Sequence, residues 1–132
     1  MPEPMHPLKP RESVILATDY AATVAFYREV LGFEVTNEFS GAYHYTNLRA
    51  ASGIQVGIAM ASEMGVEPVD REKNSVILQF EVADVPAFLK HVEAGGGSIQ
   101  FGPSKDTNAG FYYGAFRDPE GNPMWVVDGN CP

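Results

Sequence analysis

The chain has 132 residues, 45% apolar and 20% charged, which fits one globular domain with its own core and excludes a disordered or fibrous chain. Nine Lys and Arg stand against seventeen Asp and Glu, a formal net charge of −8, so the surface as a whole repels nucleic acid and favours cationic or neutral small molecules. No apolar run reaches the length of a membrane span, the first residues (MPEPMHPLKP) hold no apolar signal core, and the single Cys131 permits no intrachain disulfide; the expectation is a cytoplasmic chain.

Four prolines fall within residues 1–11, and proline lacks an amide proton, so this stretch is expected to be a flexible arm. Strand character begins near Glu12 with Val14, Ile15 and Leu16. Asp19 then suits an N-cap, Val24, Tyr27 and Leu31 recur at helical spacing, and Gly32 stands where a helix ends, which predicts a helix over about 20–31. Three short strands follow: Phe33–Thr36, Ala42–Leu48 after a Ser40-Gly41 turn, and Ile54–Ile58 after a Ser52-Gly53 turn. Residues 61–74 carry Glu63, Glu67, Asp70, Arg71, Glu72 and Lys73 and suit a solvated connector.

The order then recurs. Ser75–Val82 reads as a strand, Asp84 as an N-cap and Pro86 as a first-turn proline. Val85, Phe88, Leu89 and Val92 form an apolar stripe, and Gly95-Gly96-Gly97 stops the helix. Ile99 and Phe101 begin another strand, and Phe111–Phe116 and Met124–Val127 make a hairpin through Asp118-Pro119-Glu120-Gly121-Asn122. Ser104–Gly110 is either a lid over a cleft or a plain hairpin loop. An offset of 65 places Asp19 on Asp84 and Gly32 on Gly97. The expected fold is α+β: two βαβββ modules, residues 12–60 and 75–128 with a linker at 61–74 and a tail at 129–132. Together they would form one curved eight-stranded mixed sheet, helices on its convex side and a cleft on the other.

These residues resemble the vicinal oxygen chelate superfamily, the group of glyoxalase I, bleomycin resistance proteins, fosfomycin resistance enzymes and extradiol dioxygenases. The resemblance rests on Asp19 with Ala25–Phe33 (AFYREVLGF), on Phe80–Val85 (FEVADV) and on Phe116–Pro123 (FRDPEGNP). It spans residues 12–128 and implies the fold more than any one activity. It also implies a homodimer.

Metal-using relatives carry one ligand on the first and one on the fourth strand of each module. Counted from Asp19, Asp84 and the DPEG turn, the resemblance implies Glu12, Gly57, Ile77 and Trp125 at those positions, with Gln55 in place of Gly57 if the fourth strand slips. Gly and Ile offer no lone pair and the indole nitrogen only donates, so no metal cofactor is expected. Gln79 and Glu81 would share the cleft face and orient a ligand, or stand on an ordinary solvated face. Trp125 is either a stacking wall or a core residue. His44 is either a proton shuttle or a satisfied histidine, and alternation sends it to the face opposite Tyr43 and Tyr45. Six residues besides Trp125 are thus the candidate ligand-binding set: Glu12, Gln55, Gly57, Ile77, Gln79 and His44. The expected function is metal-independent binding of a small, cationic or aromatic, antibiotic-like molecule. The alternative is a metal-dependent isomerase, lyase or dioxygenase with a non-standard ligand set.

Overall fold

The structure, a computed structural model, describes residues 8–132; residues 1–7 of the expected arm, with His6, lie outside it. The chain runs β1 (Ser13–Ala17), α1 (Tyr20–Ala25), β2 (Glu34–Ser40), β3 (His44–Arg49), β4 (Gln55–Met60), β5 (Leu78–Glu81), α2 (Val85–Ala94), β6 (Ser98–Lys105), β7 (Tyr112–Arg117) and β8 (Pro123–Val127). This is the βαβββ order taken twice, an α+β fold. No helix among the described residues is long and apolar enough to cross a membrane.

Local chemistry explains the helices. Asp19 accepts the Ala22 amide at 3.1 Å and Asp84 the Ala87 amide at 3.0 Å, each satisfying a donor that the first turn leaves open. The first helix widens to π geometry over Phe26–Val30. It ends where Gly32 turns to φ 76° and the Phe33 amide bonds back to Tyr27 O at 2.9 Å.

Each module forms a four-stranded sheet, in the orders β1-β4-β3-β2 and β5-β8-β7-β6. β1 runs parallel to β4, and β5 to β8; the other neighbours are antiparallel. The expected single sheet of eight is not closed by backbone bonds. β1 and β5 are edge strands, and both line a groove of about 490 Å³ in which linker residues such as Val66 and Val69 take part. β5 is also shorter than expected. Continuing the β5–β8 register would set Ile77 beside Pro123, which has no amide proton, and the ladder begins only at Leu78–Met124.

One face of each sheet enters a common core. Leu48, Val56 and Ile58 come from the first sheet, Phe116, Met124 and Val126 from the second, and Val24, Phe26, Tyr27, Val85, Leu89 and Val92 from the helices. The helices touch closely. A Cβ on Gly95 would fall 2.6 Å from Val30 Cγ2, and His91 Nε2 lies 2.9 Å from the Val30 carbonyl, to which it donates.

The modules are stitched through the turn that joins β7 to β8. Tyr27 donates its hydroxyl to Asp118 at 2.7 Å, and Asp118 also accepts the Glu120 and Asn122 amides at 3.0 and 2.9 Å. Burial above all, and the Asp118 charge beside it, push the Tyr27 phenol well up. The Glu120 side chain, 3% exposed, accepts from the Thr18 amide (2.9 Å), the Asp19 amide (2.8 Å) and the Thr18 and Thr23 hydroxyls (2.7 and 3.1 Å). Arg71 pairs with it at 3.1 Å, so this part of the linker is not the solvated connector its composition suggests.

Candidate functional site

Glu12 precedes β1 and turns to the face of the first sheet opposite the core. Its carboxylate accepts a hydrogen bond from the Tyr45 hydroxyl, and the Asn47 amide group donates to Oε1 at 2.9 Å and to Oε2 at 3.0 Å. Tyr45 and Asn47 lie two residues apart on β3, so strand alternation puts both on this face. Asn47 is held in turn by Asn37, whose amide donates to its Oδ1 at 3.3 Å.

Gly57 sits beneath this group. A Cβ there would overlap both the Tyr45 hydroxyl and the Glu12 carboxylate. Gly57 is therefore the space that admits the Tyr45–Glu12 pair. Burial first, then the hydrogen bond to Glu12 and its charge, raise the Tyr45 phenol far above its ordinary value. It stays protonated and donates. Tyr45 and Asn47 were missing from the sequence-based set; alternation had placed Tyr45 opposite His44, but only the register brings Asn47 and Gly57 together.

The remaining residues separate. Gln55 is exposed on the same face, two residues along β4 and opposite Arg49. His44 does not join the site. Even-numbered β3 residues face the helix side, where His44 Nδ1 meets Glu63 Oε2 at 2.9 Å and its ring packs edge-on against Tyr20 at 5.9 Å. The His44 amide also donates to Glu63 at 2.8 Å, and both bonds hold the Glu63 carboxyl below its ordinary value.

In the second module Gln79 and Trp125 are register partners, both exposed. Trp125, 44% exposed, is not a core residue; its ring packs edge-on against Phe101, which in turn meets Tyr113, each at 6.4 Å. Ile77 lies just outside β5, half-buried. Ser104 and Lys105 extend β6, and Asp106 closes the rest of the expected lid into a hairpin turn by accepting the Asn108 and Ala109 amides at 2.9 Å.

Of the four positions counted as ligand sites, Glu12 and Gly57 thus form one group, Trp125 with its aromatic neighbours a second, and Ile77 stands just outside β5. No hydrogen bond, ion pair or ring contact joins the two groups among the described residues. These residues do not fit a metal ion. Only Glu12 offers an oxygen, that carboxylate is already engaged by Tyr45 and Asn47, and no three His, Cys, Asp or Glu among the described residues come together in a way that could hold one. What the first face can do is offer a fixed acceptor. What the second can do is offer a flat apolar surface.

A family model described as the Glyoxalase/Bleomycin resistance protein/Dioxygenase superfamily matches residues 11–126. No curated protein matches the sequence significantly. Among solved structures, a glyoxalase/bleomycin resistance protein/dioxygenase family enzyme from Burkholderia phytofirmans PsJN is 21% identical. The match covers 89% of this chain and 95% of that one, with a TM-score of 0.68. A glyoxalase family protein from Enterococcus faecalis is 23% identical over 90% and 96%, TM-score 0.71. A hypothetical protein from S. aureus is 17% identical over 93% and 95%, TM-score 0.75. At these identities the likeness is one of fold.

Proposed function

Because the chain belongs to the Glyoxalase/Bleomycin resistance protein/Dioxygenase superfamily, we propose that it binds a small organic molecule without a metal ion, by way of Glu12 and Trp125. The observation that carries this reading is the clamp on Glu12. The one carboxylate among the four inferred ligand positions is held by Tyr45 and Asn47 over Gly57. Among the described residues Oε1 accepts only from Asn47, which leaves it room for a donor from a ligand. An ammonium or amide group suits that acceptor, and the net charge of −8 favours a cation on approach. Trp125 and Phe101 suit an aromatic body.

The two faces belong to different sheets that turn their backs into one core. A homodimer that brings the Glu12 face of one copy to the Trp125 face of another would make one cleft from both.

Thermal melting in the presence of cationic aromatic compounds, and separately of Ni²⁺, Zn²⁺ or Mn²⁺, tests the reading. Saturating ligand raises the melting temperature by several degrees, since a concentration of 100 Kd is worth about 2.7 kcal/mol. The metals leave it unchanged. A rise with a divalent ion that Glu12→Ala abolishes would overturn the proposal in favour of a metal-dependent isomerase, lyase or dioxygenase.

A further inference from the structure

The outer face of the second sheet encloses a walled space of its own, fixed by strand register. Glu81, Val127 and Tyr113 lie abreast on β5, β8 and β7, and Gln79, Trp125 and Ala115 form the next row. A Cβ on Gly114 would fall 2.7 Å from Leu89 Cδ1 of α2, so that residue faces the helices and alternation turns Tyr113 outward. Val127 is therefore a half-buried floor between Glu81 on one side and Tyr113 on the other. With strands about 4.8 Å apart, the two flanking backbones stand about 10 Å apart, which leaves room for a ligand group over Val127. Trp125 closes one end, two residues back along β8. At the other end Gly129 has no side chain, and Glu81 leans toward that gap: a Cβ on Gly129 would lie 3.8 Å from Glu81 Oε2. Phe101 props both aromatic walls, meeting Trp125 and Tyr113 edge-on at 6.4 Å.

The Glu81 carboxylate makes no hydrogen bond or ion pair among the described residues, so its acceptor capacity is unused. The two cationic side chains of this sheet are occupied elsewhere. Arg117 donates to the Ile99 carbonyl at 3.2 Å, and Lys105 lies 5.6 Å from the centre of the Tyr112 ring, which alternation puts on the opposite face. An indole and a phenol beside a free carboxylate attract a cation, through the ring quadrupoles and through charge. The apolar floor selects among cations. A bare ammonium is strongly hydrated and needs several acceptors, whereas N-methyl groups pack on Val127 and the rings. We infer that this face binds a quaternary or methylated ammonium group, seated on Val127 between Trp125 and Tyr113 with Glu81 as its counter-ion. The inference extends the role given to Trp125 above and needs neither Glu12 nor a second copy.

The test is an NMR titration of the full chain with choline and, separately, with 3,3-dimethylbutan-1-ol, which has the same shape with carbon in place of the charged nitrogen. Choline shifts the amides of Tyr113 and Val127 and the indole N–H of Trp125. It binds about tenfold more tightly than the alcohol, the combined range of an exposed cation–π contact and an exposed ion pair. Glu81→Gln weakens choline about threefold and leaves the alcohol as it was, and Trp125→Ala weakens choline about fivefold. Equal affinities for the two compounds, a choline affinity unaltered in either variant, or shifts confined to Tyr45 and Asn47 would each overturn the inference, the last in favour of the Glu12 face. The melting shift with cationic aromatic compounds reads the function proposed above separately. Failure of choline with that shift intact removes this inference alone, and choline binding without that shift removes the other.

Discussion

Glu120 Oε2 accepts the backbone amide of Asp19 at 2.8 Å, joining the second module's last turn to the start of the first module's helix across 101 residues of chain. The same carboxylate takes the Thr18 amide and two threonine hydroxyls, and faces Arg71. It caps a helix that it does not belong to, at the end where the helix dipole is positive. Removing it leaves Arg71, whose side chain is 12% exposed, and two amides without their acceptor. Glu120→Ala therefore lowers unfolding stability by about 3–5 kcal/mol, as for a buried pair broken on one side. Urea denaturation measures this, and a loss under about 1 kcal/mol would mean the stitch contributes little.

The same group sets an acid limit. Burial alone would raise the Glu120 carboxyl, but the Thr18 and Asp19 amides and the Thr18 and Thr23 hydroxyls outweigh it and hold the group below its ordinary value. The folded state thus binds this proton less readily than the unfolded one. Its contribution is complete above the unfolded value, about 4.3, and is lost as pH falls through the depressed folded value. The urea midpoint of the native chain drops below that pH. In Glu120→Gln the drop is shallower, because that linkage is gone. Glu63 is lowered as well but lies at the surface, so Glu63→Gln flattens the profile less. Equal profiles for Glu120→Gln and the native chain would contradict the assignment.

How far the sequence carries is visible in these residues. Asp19, Asp84 and Gly32 were legible because a cap acts on amides two or three positions away. For β6 the sequence marked a beginning, at Ile99 and Phe101, but no end past Gly102-Pro103. In the structure the edge strand absorbs it with a register shift between Phe101 and Ser104, where the missing amide proton costs little. The Glu120 stitch was invisible, since nothing local distinguishes a turn glutamate facing water from one facing another module. For the site, alternation separated His44 from Tyr45. It could not say that a tyrosine hydroxyl would occupy the space over Gly57, or that Trp125 would stand on the outer face of its sheet.

Gly57 tests the geometry around Glu12. In Gly57→Ala the new methyl meets the Tyr45 hydroxyl and the Glu12 carboxylate, and the variant loses about 1–3 kcal/mol, as expected for overpacking. In a Tyr45→Ala background much of the obstruction is gone, and the same substitution costs about 1 kcal/mol less. Denaturant unfolding of the four proteins in this cycle gives the coupling directly. Additive costs would show that Tyr45 does not sit over Gly57.

Tyr45 should be separable from the chain's other tyrosines by titration. Its phenol is raised first by burial, then by the hydrogen bond to Glu12 and its negative charge. Phenolate absorbance of Tyr45→Phe subtracted from that of the native chain isolates a step far above the ordinary tyrosine value of about 10. Glu12→Gln removes the charge and leaves the burial, so the step moves down without reaching that value. A step indifferent to Glu12→Gln would separate the two groups.

The single tryptophan makes the second face a reporter. Trp125 is 44% exposed and touches Phe101 by an edge-on ring contact. Its emission is therefore that of a solvent-facing indole and is quenched by acrylamide in the free protein. An aromatic ligand stacked on it shields the ring and protects it from the quencher. Because little of the side chain's apolar area is sealed in the core, Trp125→Ala costs less than about 1.5 kcal/mol, against the 3–5 kcal/mol of a buried tryptophan. The same substitution removes the binding-induced melting shift of a cationic aromatic compound, while Glu12→Gln reduces it through the cationic end. Binding that leaves both acrylamide quenching and the Trp125→Ala melting shift unaltered would place the ligand elsewhere on the molecule.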